Sequence, residues 1–195
     1  DIKRLIPIIN LQARLPIVGG FIQRRAGISR HDAVVWGYAR AASALGVDII
    51  QGCEVNGFDI AGGRVRGVNT SRGPIAADRI VMSVAGHASV LASQAGIRLP
   101  LTTMALQAMV TEPVKPVLDS VVMSGAVHAY VSQSDRGEIV IGGGADVYNS
   151  YAQRGSLHLL QQTVGAVLEL FPCFSRLRLM RQWAGMVDVS PDTTP

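Results

Sequence analysis

The residues best placed to do chemistry begin at Arg24-Arg25-Ala26-Gly27-Ile28-Ser29-Arg30-His31-Asp32. A histidine here follows three arginines and opens a helical pattern. Ser29 and Asp32 have the spacing of a capping box, with Asp32 in place of the usual Glu or Gln. Behind them Val34, Val35, Tyr38, Ala41, Ala42 and Leu45 recur at helical spacing, and Gly46 is a C-terminal stop. His31 is thus expected in the first turn of a helix. There the helix dipole and the neighbouring arginines disfavour an added positive charge and favour neutral imidazole. A neutral imidazole has a lone pair and can be a nucleophile or a ligand. Arg24, Arg25 and Arg30 supply anion-binding charge. On spacing alone, a solvated first-turn histidine is the simpler reading.

A second pair is His128 and Tyr130, which alternate along a predicted strand and so are expected on one face. They read either as pocket residues or as polar residues on the wet side of a half-buried sheet. Gly142-Gly143-Gly144 has neither G-x-G-x-x-G spacing nor a following Lys-Ser/Thr, so a strand end or bulge explains it better than a phosphate loop. Cys53 and Cys173 are far apart, with no paired or metal-ligand spacing, and read as free thiols in a reducing cytoplasm.

The elements that would position these groups follow from pattern and punctuation. After the helix, Val47–Gln51 reads as a short buried strand. Cys53–Ile60 and Arg64–Thr70 flank Ala61-Gly62-Gly63 as a hairpin. Pro74–Ala77 and Arg79–Val84 are further β runs, the second ending at Ala85-Gly86. A helix from about His87 to Ala95 stops at Gly96. Beyond Leu99-Pro100 the pattern becomes strand-rich: Met104–Thr111, Val121–Ala126, then His128–Ser132 and Glu138–Gly142 around a Gln133–Gly137 turn. Leu157–Phe171 is an amphipathic helix stopped by Pro172, and Leu177–Val187 returns as a strand. The expected class is α+β. Residues 1–20 form a lead-in, 21–100 a portion with α/β layering, 101–187 an antiparallel-sheet domain, and 188–195 a closing segment.

Composition limits the partners. The 195 residues carry a net charge of +4 but only 5% aromatics, too few for a base-stacking platform, so nucleic-acid binding is not expected. No apolar run reaches the roughly 20 residues needed to span a membrane. The first residues lack the layout of a signal peptide.

The run from Phe21 through Arg30-His31-Asp32-Ala33-Val34 to Gly37-Tyr38-Ala39-Arg40-Ala41-Ala42, with Leu45–Gln51 after it, closely resembles the beta subunits of heterotetrameric sarcosine oxidases. These belong to the D-amino-acid-oxidase-like, FAD-dependent oxidoreductase family, and the resemblance extends through essentially the whole chain. It implies a two-domain flavoprotein fold in which residues 21–100 are the middle of the FAD-binding domain and the later sheet roofs the flavin and binds substrate. It implies FMN bound covalently to His31 through the flavin 8α-methyl, and FAD bound non-covalently; from their proximity to His31 in sequence, Arg25 and Arg30 are expected to offset the FMN phosphate charge. Val55, in Glu54-Val55-Asn56-Gly57-Phe58, and the Ala85-Gly86 turn would contact FAD. His87-Ala88-Ser89 departs from an aromatic common at that point. His128 and Tyr130 would face the substrate. The implied reaction oxidises sarcosine to glycine and formaldehyde with formation of peroxide, or gives a methylene-tetrahydrofolate product with a partner subunit. Related dimethylglycine or D-amino-acid dehydrogenases are the enzymatic alternative. A non-catalytic, homo-oligomerising interaction domain is the alternative of another class. Ser190-Pro191-Asp192-Thr193-Thr194-Pro195 resembles the start of a C-terminal flavin segment, and no G-x-G-x-x-G occurs. The chain therefore reads as an internal fragment, expected to be inactive alone and to need its partner subunits.

Overall fold

Two adjacent glycines make a tight turn between two strands. Gly62 and Gly63 both have positive φ (59° and 73°), the geometry of a type I′ turn, whose twist suits a two-residue hairpin. They join strand β1 (Val55–Ala61) to β2 (Arg64–Thr70) as an antiparallel hairpin, and β3 (Gly73–Ala76) adds to the other side of β2. The structure, a computed structural model, describes residues 1–193. It divides into two units: Phe21–Met82 with Gln94–Gly96, and the rest. Helices and antiparallel sheets make up both, as the α+β class requires. Residues 194 and 195 of the expected flavin segment lie outside the described residues.

Helix α1 (Ile2–Leu5) belongs to the second of these units and helix α2 (His31–Ala44) to the first. The C-terminus of α2 is a Schellman motif: Val47 N–H donates to the Ala42 carbonyl (3.1 Å) and Gly46 N–H to that of Ser43 (3.0 Å), with Gly46 at φ 87°. Its N-terminus differs from expectation. The N-cap is Arg30 and no side chain caps it, so the Ser29–Asp32 box does not form. Val34, Val35, Tyr38 and Leu45 keep their helical spacing, but α2 buries none of its residues. Val47–Gln51 and Arg79–Val84 are not strands. An apolar extended run becomes a strand only where a neighbour takes its N–H and C=O groups, and no such ladder forms with them among the described residues.

The larger unit is built on a five-stranded antiparallel sheet in the order β5 (Val122–Ser124), β6 (Ala129–Gln133), β7 (Glu138–Asn149), β4 (Thr102–Pro113), β8 (Leu179–Val189). Met109, Val131, Ile139 and Ile141 point to one face. There they pack with Val167, Leu170 and Phe171 around helix α4 (Leu157–Leu170), together with Phe174 of the 3-10 turn that Pro172 opens. Each such fully buried side chain contributes roughly 1.5–3 kcal/mol. The opening residues join this core: Ile9 is buried in it, Asn10 N–H donates to the Leu170 carbonyl (2.7 Å), and its side-chain amide donates to that of Glu169 (3.0 Å). The short helix α3 (Ala88–Gln94) ends as read, with Gly96 at φ 73° and Ile97 N–H donating to the Ala92 carbonyl.

A buried amide ties α4 to the sheet. Gln107 Nε2 donates to Asp146 Oδ2 and to Ser156 Oγ (both 3.1 Å), while Gln107 Oε1 accepts from Ser156 N–H (2.8 Å) and Gln182 Nε2 (3.0 Å). Ser156 is the N-cap of α4, accepting from Leu159 N–H and donating to Asp146 Oδ1 (3.2 Å). Every hydrogen-bonding group of the Gln107 amide is used. Replacing it by an apolar side chain of similar size leaves several buried partners unsatisfied, at roughly 1–3 kcal/mol each. Gln107→Leu is therefore expected to lower unfolding stability by more than about 2 kcal/mol in denaturant titration.

Candidate functional site

His31 is the first residue of α2. Its ring and the Asp32 carboxylate are 88% and 85% exposed, and Nε2 lies 3.2 Å from Asp32 Oδ1. The contact comes from neighbouring residues of one helical turn and orients the ring without enclosing it. Arg24 and Arg25 occupy a turn in which Ala26 N–H donates to the Gln23 carbonyl and Arg25 N–H to the Gln23 side chain (both 3.3 Å). Both side chains are exposed, as is that of Arg30, the N-cap. The stretch sets an open imidazole beside three guanidinium groups at the positive end of a helix, a chemistry suited to an anionic ligand.

Val55 begins β1, opposite Thr70, with a register shift before Gly57. The stretch before it is held by Glu54 N–H donating to Ser71 Oγ (3.0 Å) and Ser71 N–H donating to the Glu54 carbonyl (2.8 Å). β1 is the edge of its sheet, so among the described residues one side of its backbone remains open to a ligand.

The Ala85-Gly86 turn is in the larger unit. Gly86 has φ 80° and is buried against β8, where an added Cβ would collide with Met186 Cβ. A side chain is excluded at Gly86 on both counts. The turn packs on the α4 side of the sheet, because Met186 is paired with Ala105, two residues from Gln107 along the same face. Its backbone is occupied: Gly86 N–H donates to Asp188 Oδ2 (2.8 Å), and the Gly86 carbonyl accepts from Thr103 Oγ1 (3.1 Å). Any ligand at this turn would therefore meet exposed Ala85 rather than the Gly86 amide.

His128 and Tyr130 do not share a strand. His128 sits in the turn between β5 and β6 with φ 48°, a left-handed backbone that breaks the alternation, and its side chain is exposed. Tyr130 is in β6, in register with Gly142 of β7 and Met123 of β5. Its neighbour Val131 points into the core, so Tyr130 faces away from α4. The ring lies over Gly142, where no Cβ would fit. One residue further on, β7 carries a bulge: Leu106 pairs with Ala145 and Ala108 with Gly142, and Gly143 and Gly144 take φ 139° and 76°. The triple glycine is thus a bulge, as its spacing indicates, and it leaves room for Tyr130. Within the larger unit, Tyr130 and Gly86 lie on opposite faces of the sheet. His31, Arg25, Arg30 and Val55 belong to the other unit. Among the described residues no group of three or more His, Cys, Asp or Glu could hold a metal ion, and no helix is long and apolar enough to cross a membrane.

The profile described as "FAD dependent oxidoreductase" matches residues 1–195. The chain belongs to the FAD-dependent oxidoreductase family. Its relatives in that family include the sarcosine oxidase subunit beta of Rhodobacter capsulatus, 53% identical over all of this chain and 47% of that protein. The protein of the same name from an Arthrobacter species is 48% identical over all of this chain and 49% of its own length. The chain thus spans about half the length of these curated relatives. Among solved structures, the L-proline dehydrogenase of P. horikoshii superimposes with a TM-score of 0.88 at 24% identity, over all of this chain and 52% of that one. That likeness establishes the fold of the FAD-dependent oxidoreductases for these residues.

Thr103, Met186 and Asp188, which hold the Gly86 turn, were not singled out in the sequence. The one visible sign was a carboxylate inside the apolar run Met186-Val187-Asp188-Val189.

Burial raises the ionisation of the Tyr130 phenol above its usual range. The folded state therefore favours the neutral phenol. Its contribution to stability is full below the ordinary tyrosine range and is lost as pH rises through the raised value. In an ultraviolet titration of phenolate, Tyr130 is expected to ionise later than the exposed tyrosines, and Tyr130→Phe removes that late step.

Proposed function

We propose that this chain belongs to a flavin-dependent amine-oxidising subunit that acts on a small secondary amine such as sarcosine. The observation that carries the reading is the 48–53% identity, over the whole chain, to proteins named sarcosine oxidase subunit beta. In this reading FAD is held without a covalent bond and FMN is attached to His31. Bound flavin would supply the two-electron redox chemistry: oxidation of the N-methyl C–N bond to an imine, which water hydrolyses to glycine and formaldehyde, with dioxygen reduced to peroxide.

The chain's own residues have separate tasks. His31 presents an imidazole nitrogen to the flavin 8α-methyl carbon. The bond would form through a ring-nitrogen lone pair. Arg25 and Arg30 offset the FMN phosphate charge. Val55 and Ala85 present small or edge surfaces to FAD. Tyr130 offers a neutral phenol, able to donate one hydrogen bond toward a substrate without adding charge to the site. His128 is assigned to the substrate side with it. The subunit nature of the relatives implies further chains. Tetrahydrofolate, used by one of them to capture the formaldehyde carbon, is the proposed additional partner. Cytoplasmic placement accords with two free cysteines, Cys53 and Cys173.

The test is denaturing mass spectrometry with peptide mapping of the full-length protein purified in its native assembly. A mass increase equal to FMN on the peptide containing His31 is expected. His31→Ala is expected to abolish it and to leave thermal stability nearly unchanged, because an exposed side chain with one neighbouring contact contributes little to folding. An unmodified His31 peptide in an active, flavin-containing enzyme would overturn the assignment.

A further inference from the structure

Thr103 and Asp188 stand directly opposite each other in the pairing of β4 with β8, so their side chains leave the sheet on the same side. There they meet the Ala85-Gly86 turn. Asp188 Oδ2 accepts from Gly86 N–H at 2.8 Å, across 102 residues of sequence. Asp188 Oδ1 lies 3.0 Å from Thr103 Oγ1, which is itself 3.1 Å from the Gly86 carbonyl oxygen. One carboxylate and one hydroxyl thus engage both backbone groups of a single glycine. Thr103 is buried, and Gly86 packs so closely on Met186 that a Cβ at Gly86 would collide with it.

We propose that Asp188 is a positioning residue for FAD. It fixes the Ala85-Gly86 turn against the start of the segment Ser190-Pro191-Asp192, and so sets the separation of two stretches that flank the cofactor. The proposal rests on the reading that both stretches contact FAD. Asp188 touches no reacting atom in this role; it acts through Gly86.

The hydrogen-bond inventory makes the proposal specific. The Thr103 hydroxyl has one proton and two acceptors in reach, the Gly86 carbonyl and Asp188 Oδ1. An asparagine at 188 resolves this competition. Its carbonyl oxygen accepts from Gly86 N–H, its amide donates to Thr103 Oγ1, and the Thr103 proton goes to the Gly86 carbonyl. The clasp needs the shape and the hydrogen bonds of Asp188, not its charge. Asp188→Asn should therefore preserve it, whereas Asp188→Ala should leave Gly86 N–H without a partner.

The experiment is FAD titration of the full-length protein in its native assembly after removal of its non-covalent FAD, with the change in visible circular dichroism on FAD binding as a second readout. Asp188→Ala is expected to raise the FAD dissociation constant about tenfold or more, from loss of the hydrogen bond that holds Gly86 N–H, and to alter the dichroism. Asp188→Asn is expected to stay within about twofold of the parent on both readouts. Wild-type FAD affinity and dichroism in Asp188→Ala, whatever its melting temperature, would reduce the clasp to a purely structural contact and overturn the proposal. An Asp188→Asn variant as impaired as Asp188→Ala would overturn it too, by showing that charge is what matters. If Asp188→Ala does not fold, Thr103→Val takes its place: weakened FAD binding restored by Thr103→Ser supports the clasp, and unchanged binding overturns it. Ala85→Val separates the underlying reading from the clasp. Wild-type FAD binding in that variant means that the turn does not touch FAD. Weakened binding there, with normal binding in Asp188→Ala, removes the clasp alone.

Discussion

Strand β4 is paired along its length on both sides, with β7 and with β8, and its odd-numbered residues are buried in turn: Thr103, Ala105, Gln107, Met109 and Thr111. Most of the larger unit depends on this double pairing. Met109 enters the hydrophobic cluster under α4. Gln107 holds the N-cap of α4 and reaches β8 through Gln182. Thr103 opposes Asp188 and so meets the Gly86 turn. One strand thereby sets the place of a helix, of a turn and of its two neighbours. Three of its five inward residues are polar, and polar groups are costly to bury without partners. Those of Gln107 and Thr103 are satisfied by groups from distant segments, which makes their positions mutually dependent.

The opposite face of the same sheet is arranged by steric room rather than by hydrogen bonds. Gly142 lies between Tyr130 and Ala108 in adjacent strands, and its missing side chain admits the Tyr130 ring. The bulge at Gly143 and Gly144 then shifts the register beyond it, and a side chain at Gly143 would strike the His128 carbonyl. The left-handed backbone of His128 and the glycines of β7 are thus parts of one close approach between neighbouring strands. A larger residue at 142 would push the phenol outward and remove the burial that holds it neutral.

What the sequence made legible was local. The Gly62-Gly63 turn, the stop at Gly46, the helix ending before Pro172 and the glycine bulge each depend on residues within a few positions of one another. Features that need a distant partner were misread or missed. Val47–Gln51 and Arg79–Val84 have strand composition, but a strand is a pairing and not a composition. The residues 1–20 carry no strong signal, yet Ile9 and Asn10 are tied to the end of α4 some 160 positions later. The Asp188–Gly86 contact spans 102 residues, and nothing in the spacing of either residue announces it. The Ser29–Asp32 pair shows the converse: its spacing suits a cap, but the backbone enters the helix one residue later, at Arg30, and the box has nothing to close.

The same contrast bears on the candidate site. Its sequence-legible members, His31 above all, lie on exposed local structure, where residue type and motif are nearly all there is to read. An exposed imidazole imposes little on the fold, so packing gives no reason for it. Asp188 and Thr103 are the reverse case, since their types are ordinary and their geometry is demanding. A turn whose only glycine has its N–H, its carbonyl and its Cβ position all engaged by β4 and β8 cannot shift without disturbing the sheet. Rigid support of this kind is what a cofactor contact requires, because an error of a fraction of an ångström in a supporting backbone is carried directly to the group that it holds.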